Sequence, residues 1–412
     1  FVPGGNAGVA SIAPEFARLA FLLLVAGFGV KASIVPLHGW LPSAMVAPTP
    51  VSGLLHAVAV VKAGVFGILR VLLFLYGPGL VAGLGLQDPV ILVAVITILV
   101  GSLLALVQDD FKLRLAYSTV SQLSYIILGA ALLLPQGISG VTDAGRSAAV
   151  IGAIFAIAAH AFGKLTMFFV AGAVAVETGK TRISELDGMG RRMPREFAAF
   201  TLAMLSMAGL PPMAGFISKW YLSVGAWSTG DWWILLVLVA SSVLNLAYFL
   251  PIVIRAFLRP YEGERGEARW TLGAPVLATA AGALVLGLWT TIPYGPFALA
   301  ARIAAGITHS AGAGMGSLAA GPAIPPFLIF LFGGPIVLLL RGRARQAGLV
   351  AVAGIALLDT LLLPGGYLAG AAPAGVSLWQ IPFMGYTLTL LRVDALSALA
   401  GTIFALITFL AV

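Results

Sequence analysis

The chain alternates long apolar runs with short polar joints. Eleven runs approach the length needed to cross a hydrocarbon layer of about 30 Å. They cover residues 15–35, 50–76, 89–107, 112–134, 147–176, 196–225, 232–257, 272–291, 325–340, 346–363 and 392–412. No period-two alternation marks a strand among them, so the pattern predicts an all-α integral membrane protein of about eleven transmembrane helices and not a barrel.

Composition supports the bilayer as solvent. Of 412 residues, 60% are hydrophobic and 9% charged, whereas a soluble domain carries about a quarter of its residues as charges. So few charges cannot cover a water-soluble globule of this length. The chain has no cysteine, which excludes a disulfide framework and a thiolate metal site. The formal charge of +8 is spread over the joints, so it reads as an orientation signal and not as a nucleic-acid surface. One set of alternate joints holds 14 basic residues, from Lys112 and Arg114 through Lys180–Arg195 and Arg255–Arg269 to Arg341–Arg345, and the other set holds 5. The richer side is expected to be cytoplasmic.

The other four basic residues, Lys31, Lys62, Lys164 and Lys219, lie inside apolar runs. A lysine near the bilayer centre costs about 2.5–3.5 kcal/mol on insertion scales. Loss of water favours the neutral amine in general, which lets such a group take up and release protons at small cost. A proton relay would use that property; snorkelling to the interface is the bland alternative, strongest for Lys31 near the end of its run. Two of these lysines adjoin prolines. Lys31 precedes Pro36 and Pro42 in GVKASIVPLHGWLP, and Lys219 follows Pro211 and Pro212 in AGLPPMAGFISKW. Both runs should therefore be broken helices, the form in which membrane transporters expose ion sites.

His160 and Lys164 are four apart and share a helix face, and a neutral imidazole passes protons in either direction. His56 and Lys62 share one run but lie about 120° apart on a continuous helix, so they need not touch. Tyr117, Ser121 and Gln122, with Ser118 and Tyr125, form one polar stripe; a water wire and interhelical glue both fit it. No third ligand stands at metal spacing beside the histidines. GFGVKA sits in an apolar run with no preceding strand, so it is not a dinucleotide site, and no Walker loop, HExxH or GxSxG occurs. Nothing in the sequence calls for a cofactor or an active site of the chain's own.

The stretch GVKASIVPLHGWLPSAMVAPTPVSGLLHAVAVVKAGVFGILR, followed in order by DDFKLRLAYSTVSQLSYIILG, HAFGKLTMFF and GRRMPREFAAFTLAMLSMAGLPPMAGFISKW, resembles the antiporter-like subunits of respiratory complex I and of multisubunit Mrp-type Na+/H+ antiporters. ETGKTRISELDGMGRRMP is most similar to the D-type subunits of the Mrp antiporters and to membrane hydrogenases. The resemblance implies fourteen helices built as two inverted five-helix repeats, each with one broken helix. It implies that Lys31 and Lys219 are the lysines of the two breaks and that Lys62, His160 and Lys164, with His56, lie on the hydrophilic axis between half-channels. It further implies proton or Na+/H+ translocation, other membrane subunits as partners, and the plasma membrane of a prokaryote. Two features depart from the family pattern. No mid-helix glutamate stands where the family pairs one with the first lysine, and residues 323–412 resemble the beginning of a unit. The expected organisation is helices seven to fourteen over 1–310, a Gly/Ala linker at 311–322, and the first three helices of a second unit over 323–412, as in a fragment of a tandem fusion or, alternatively, a permuted unit. Asp394 is expected to be structural. The second functional reading is an energy-coupling, proton-pumping subunit of a redox enzyme, complex I-like or a membrane hydrogenase; a purely structural scaffold is the third, and it predicts lysines beyond the reach of water.

Overall fold

The structure is a computed structural model. It describes residues 7–132, 143–261, 269–290, 295–309, 329, 333–337, 340–369, 376–383 and 386–393, with helical pieces at 401–403, 405–406 and 408–409. The chain compacts as two units, Phe1–Thr291 and Ile292–Val412.

Among the described residues, the first unit contains ten principal helices: α1 Pro14–Ala32, α2 Thr49–Ala57, α3 Val60–Arg70, α4 Gln87–Val107, α5 Phe111–Ala131, α6 Asp143–Thr178, α7 Pro194–Ala208, α8 Ala214–Ser228, α9 Trp232–Leu258 and α10 Trp270–Leu288. Local chemistry sets several starts. Proline occupies the first turn of α1, α2 and α7, where its missing N–H costs nothing. Asp110 caps α5 by accepting from Leu113 N at 2.8 Å. Among the described residues, five helical stretches are long and apolar enough to cross a bilayer: Thr49–Gly83, Gln87–Val107, Ser147–Thr178, Trp232–Leu258 and Trp270–Leu288.

The 36-residue α6 is the hub. It packs against α2, α5, α7, α8 and α10, and its most apolar window is 94% buried, against 33% for α9 and 28% for α10. Small residues permit the close crossings, as is usual between helices in lipid. At Gly152 of α6 an added Cβ would lie 2.7 Å from the backbone nitrogen of Leu222 on α8, so any side chain there pushes the two helices apart.

The basic joints interlock on one side, as the charge bias predicted. Phe111 N donates to Thr181 O at 2.9 Å and Ile183 N to Asp109 O at 2.8 Å. Arg255 pairs with Asp187 at 3.0 Å and Arg269 with Glu177 at 3.1 Å. Arg114 does not belong with these solvated cations. It is buried, and its guanidinium donates to Gln108 O at 2.8 Å beyond the C-terminus of α4 and to Tyr248 O at 2.7 Å. Tyr248 lies in the turn before Pro251 of α9, where the missing proline N–H loosens the ladder.

Both predicted breaks are present. α1 ends at Ala32, Ser33 takes a left-handed conformation (φ 59°), and a short helix resumes at Trp40–Ser43. α7 ends at Ala208, and α8 starts six residues later at Ala214 beyond Pro211 and Pro212. A third break was not expected. The run 50–76 is interrupted at Val58 and Ala59, between α2 and α3, and passes into a π-helical stretch at Val71–Tyr76.

The second unit holds α11 Pro296–His309, α12 Gly342–Ala369 and an antiparallel hairpin, β1 Val376–Phe383 paired with β2 Tyr386–Val393. The hairpin corrects the expectation that no strand is present, and it places the first residues of the predicted run 392–412 in a strand. Thr387 and Thr389 alternate with Leu388 and Leu390 there, a period-two pattern that favours a strand. The linker 311–322 and Asp394 lie outside the described residues.

Candidate functional site

The second break builds the most complete part of the site. α7 terminates at Gly209, whose φ of +83° is the left-handed conformation that glycine adopts without penalty. The chain then turns through Leu210–Met213 and brings Lys219, in the second turn of α8, back against the end of α7. Its ammonium donates to Met207 O at 3.1 Å, Ala208 O at 3.0 Å and Ser242 Oγ at 2.9 Å. All three donors are used. Two acceptors are terminal carbonyls of a helix, which carry its partial negative charge. The ring of Tyr125 lies 5.1 Å from the same nitrogen. A cation is thus held among dipoles and a π face, with no carboxylate beside it among the described residues.

The centre of the unit holds a second cluster. Lys62 Nζ stands 3.1 Å from His160 Nδ1, linking α3 to α6. Lys164, fully buried, donates to Leu115 O at 2.9 Å and to Ser118 Oγ on α5, and it faces the Phe249 ring at 5.5 Å. The sequence placed His160 and Lys164 on one face, and so they are, but the hydrogen-bond partner of His160 is Lys62. The unexpected break at Val58–Ala59 changes the geometry of His56 and Lys62. Their 120° relation on a continuous helix does not apply. The His56 ring lies tilted against that of Phe168, 4.9 Å between ring centres, and neither of its nitrogens has a hydrogen-bond partner among the described residues.

The two clusters meet at a cavity. When the Lys62 ammonium donates to His160 Nδ1, the imidazole proton resides on Nε2. Nε2 is buried without a partner among the described residues, and His160 lines a cavity shared with Lys219, Gln122, Tyr125, Ser206 and Ser218. The space open to the centre of a water molecule there is about 10 Å³, roughly enough for one water among polar partners. Ammonium, imidazole, water-sized gap and ammonium follow one another across α3, α6 and α8.

The sequence pattern of the family described as NADH:quinone oxidoreductase/Mrp antiporter, TM matches residues 12–245, more than half of the chain. This chain belongs to that family. Among curated relatives, NADH-quinone oxidoreductase subunit N of Desulforudis audaxviator is 38% identical over 291 residues, covering 66% of this chain and 54% of the relative. A Na(+)/H(+) antiporter subunit of Alkalihalophilus pseudofirmus is 34% identical, covering 61% of this chain and 32% of the relative. Among solved structures, the membrane-bound sulfane sulfur reductase, an archaeal respiratory membrane complex, matches with a TM-score of 0.61 and 27% identity over 72% of this chain and 57% of that one. The chain spans about half the length of the subunit N relatives it matches.

In this antiporter-family chain the remaining predicted residues divide. Gln122 donates to Asn245 Oδ1 at 3.0 Å and lines the cavity. Ser121 is 2.9 Å from Ser102, which is 3.3 Å from Ser241, so it ties α5 to α4 and α9. Tyr117 is half-buried beside His38, with ring centres 6.3 Å apart, and is not on the cavity. Lys31 is exposed on the last turn of α1; α3 packs on the start of its side chain at Gly64, yet the residue as a whole stays exposed and the expectation of burial does not hold. None of the four lysines meets a carboxylate among the described residues, and no group of three potential metal ligands occurs there. Sequence reasoning missed Ser242 and Asn245, although two serines and an asparagine within WWILLVLVASSVLNLAYFL were a readable signal of a polar inner face.

Proposed function

We propose that this chain translocates protons across the membrane as one subunit of a larger membrane assembly, with Lys62, His160 and Lys219 in the path. The observation that carries this reading is the pair of buried cationic sites whose inner ends, His160 and Lys219, line one water-sized cavity. A proton arriving at Lys62 passes to His160 Nδ1, leaves from Nε2 through the cavity, and reaches Lys219 in its carbonyl nest. Lys164 acts as a neighbouring charge that biases the imidazole, and His56 stands as a further acceptor. Lys31 is assigned to the first break. Gln122 orients the cavity; Ser121 and Tyr117 are assigned to its surroundings. The chain has no active site of its own in this scheme, and partner subunits supply the driving force.

The assembly is assigned as a multisubunit cation/proton antiporter, exchanging H+ alone or against Na+, in the plasma membrane of a prokaryote. The second reading is a proton-pumping membrane subunit of a complex I-like oxidoreductase or membrane hydrogenase; the 38% identity to a subunit N relative favours it. Redox subunits encoded beside this chain would select the second reading. Residues 323–412 are assigned to the opening of a second antiporter-like unit; the second compact unit, Ile292–Val412, contains this segment together with α11. The test is Lys219→Ala in the intact assembly, with proton and Na+ flux measured in vesicles. Loss of flux is expected; flux at the wild-type rate rejects Lys219 as part of the path.

A further inference from the structure

Gln122 on α5 and Asn245 on α9 are both buried, and the chemistry around them fixes which way each side-chain amide points. An amide has one corner that only accepts and one that only donates, so each neighbour dictates the corner it meets. Asn245 Nδ2 lies 2.6 Å from Ser241 O, one turn back on the same helix. A backbone carbonyl has no proton to give, so the nitrogen must face it and Oδ1 must face away. There Oδ1 accepts from Gln122 Nε2 at 3.0 Å and from the Tyr248 hydroxyl. Gln122 is set in turn. Its nitrogen faces Asn245, with a longer contact of 3.5 Å to Met207 O, the carbonyl that also receives Lys219. The remaining corner, Oε1, meets no donor among the described residues, and Gln122 lines the cavity between His160 and Lys219.

The other polar groups on that wall have different roles. Ser206 Oγ accepts from Gly215 N at 3.2 Å, and Ser218 donates to Gly215 O at 3.5 Å. The Tyr125 hydroxyl rotates and takes either role. Lys219 as an ammonium spends its three protons on Met207, Ala208 and Ser242. His160 Nε2 is buried without a partner among the described residues.

We propose that Asn245 is a positioning residue: held by the Ser241 carbonyl, it turns Gln122 so that Oε1 stands on the cavity as a fixed acceptor for the water that joins His160 to Lys219. The inference rests on the proton path proposed above. The water accepts from His160 Nε2 and donates one hydrogen to Oε1, which aims its other hydrogen at the lone pair of a neutral Lys219. The Nε2 proton then passes to the water oxygen as a water proton passes to the amine, and Nδ1 takes its replacement from Lys62. Gln122 turned the other way would compete with His160 for the water oxygen instead of anchoring a hydrogen. Neither Asn245 nor Ser241 touches the transferred proton.

The test uses the whole assembly in vesicles. Gln122→Met and Asn245→Leu should each lower proton flux about tenfold, the worth of one hydrogen bond, and the double variant should be no slower than either alone. Losses that multiply to about a hundredfold would mean independent roles and overturn the proposal. Tyr248→Phe removes the other donor to Asn245 Oδ1 but leaves the Ser241 contact that sets the orientation, so flux should stay within twofold of wild type. A loss there equal to that of Asn245→Leu would make the network interhelical glue, and that too overturns it. A reading independent of flux comes from nitrogen-15 magnetic resonance of the four histidines, with His160 recognised by its loss in His160→Phe. Gln122→Met and Asn245→Leu should move the Nε2 signal to one common position, towards that of a free N–H; an unmoved signal in either variant refutes the positioning role. Asn245→Ser, too short to reach Gln122, replaces Asn245→Leu should the latter fail to assemble. Wild-type flux in Lys219→Ala together with the common Nε2 shift would reject the path and leave the positioning of Gln122 standing.

Discussion

Replacing Gly209 by alanine should disable the path with little effect on the rest of the fold. Two strains would act. Alanine at φ +83° costs about 1–2 kcal/mol for the left-handed conformation. In addition, its Cβ would lie 2.5 Å from Lys219 Cδ, about 1 Å inside ordinary contact, so the lysine stem must retreat by a comparable amount. The ammonium now sits 2.9–3.1 Å from three oxygens; a retreat of that size takes at least one of them beyond hydrogen-bond range. A hydrogen bond to a charged group contributes about 1.5–3 kcal/mol, so occupancy of the carbonyl nest should fall about tenfold or more. Gly230 supplies the control. Its φ is +81°, and a Cβ there meets nothing within 4 Å. Gly230→Ala therefore carries the same backbone strain without touching the lysine. In vesicles loaded with a pH-sensitive dye, Gly209→Ala should lose at least tenfold in proton flux while Gly230→Ala retains it. The unfolding temperature should fall in both, and further in Gly209→Ala because of the lost hydrogen bond. Equal flux in the two variants, whether high or low, would refute the argument that the nest is what matters.

Three further outcomes follow from the geometry. His160→Phe fills the imidazole site without a transferable proton and should reduce flux about a hundredfold, with stability lowered by about 1–3 kcal/mol as the buried Lys62 ammonium loses its imidazole partner; flux within twofold of wild type would place the route elsewhere. Ser118→Ala leaves Lys164 with only the Leu115 carbonyl and should cost about 1–3 kcal/mol, read as a lowered unfolding temperature that Ser118→Thr restores. The joint on the basic side should resist acid. The Ser184 hydroxyl, then its backbone N–H and the charges of Arg114 and Arg182, hold the Asp109 carboxyl below its ordinary value of 3.8, against a smaller opposing effect of burial. A carboxyl depressed in the folded state stabilises above its unfolded value, and that contribution is lost as pH falls through the folded one. Amide exchange at Ile183 and Ser184, corrected for intrinsic rate, should therefore be flat from neutral pH to about pH 4 and rise only below it. Loosening between about pH 5 and pH 7 would contradict this assignment.

The parts of this fold that could be read from sequence are those where a residue type dictates backbone geometry or carries a solvation cost. Pro36, Pro211 and Pro212 announced the two breaks, and the 14-to-5 division of basic residues placed the joints that Asp109, Ser184, Asp187 and Arg255 tie together. The break at Val58–Ala59 carries no proline or glycine, so no local pattern records it. The hairpin did leave a trace in its alternating threonines and leucines, but an apolar stretch of that length suits a helix equally well, and only pairing distinguishes them.

Partner choice was the least legible feature, for a physical reason. On a helix, spacing tells which residues share a face; it does not tell what lies opposite. His160 and Lys164 share a face as expected, yet each points to a different neighbour, Lys62 in one case and Ser118 in the other. The same holds for Lys219. Its sequence context predicted a break beside it but not that the break would supply its ligands. The glycine that ends α7 leaves the last carbonyls of that helix unpaired, and the lysine reaches back to take them. One local event, helix termination at Gly209, both opens the segment and satisfies the cation. The lysine and the break are therefore a single structural unit, which is why a methyl group placed at Gly209 is expected to act like a substitution of Lys219.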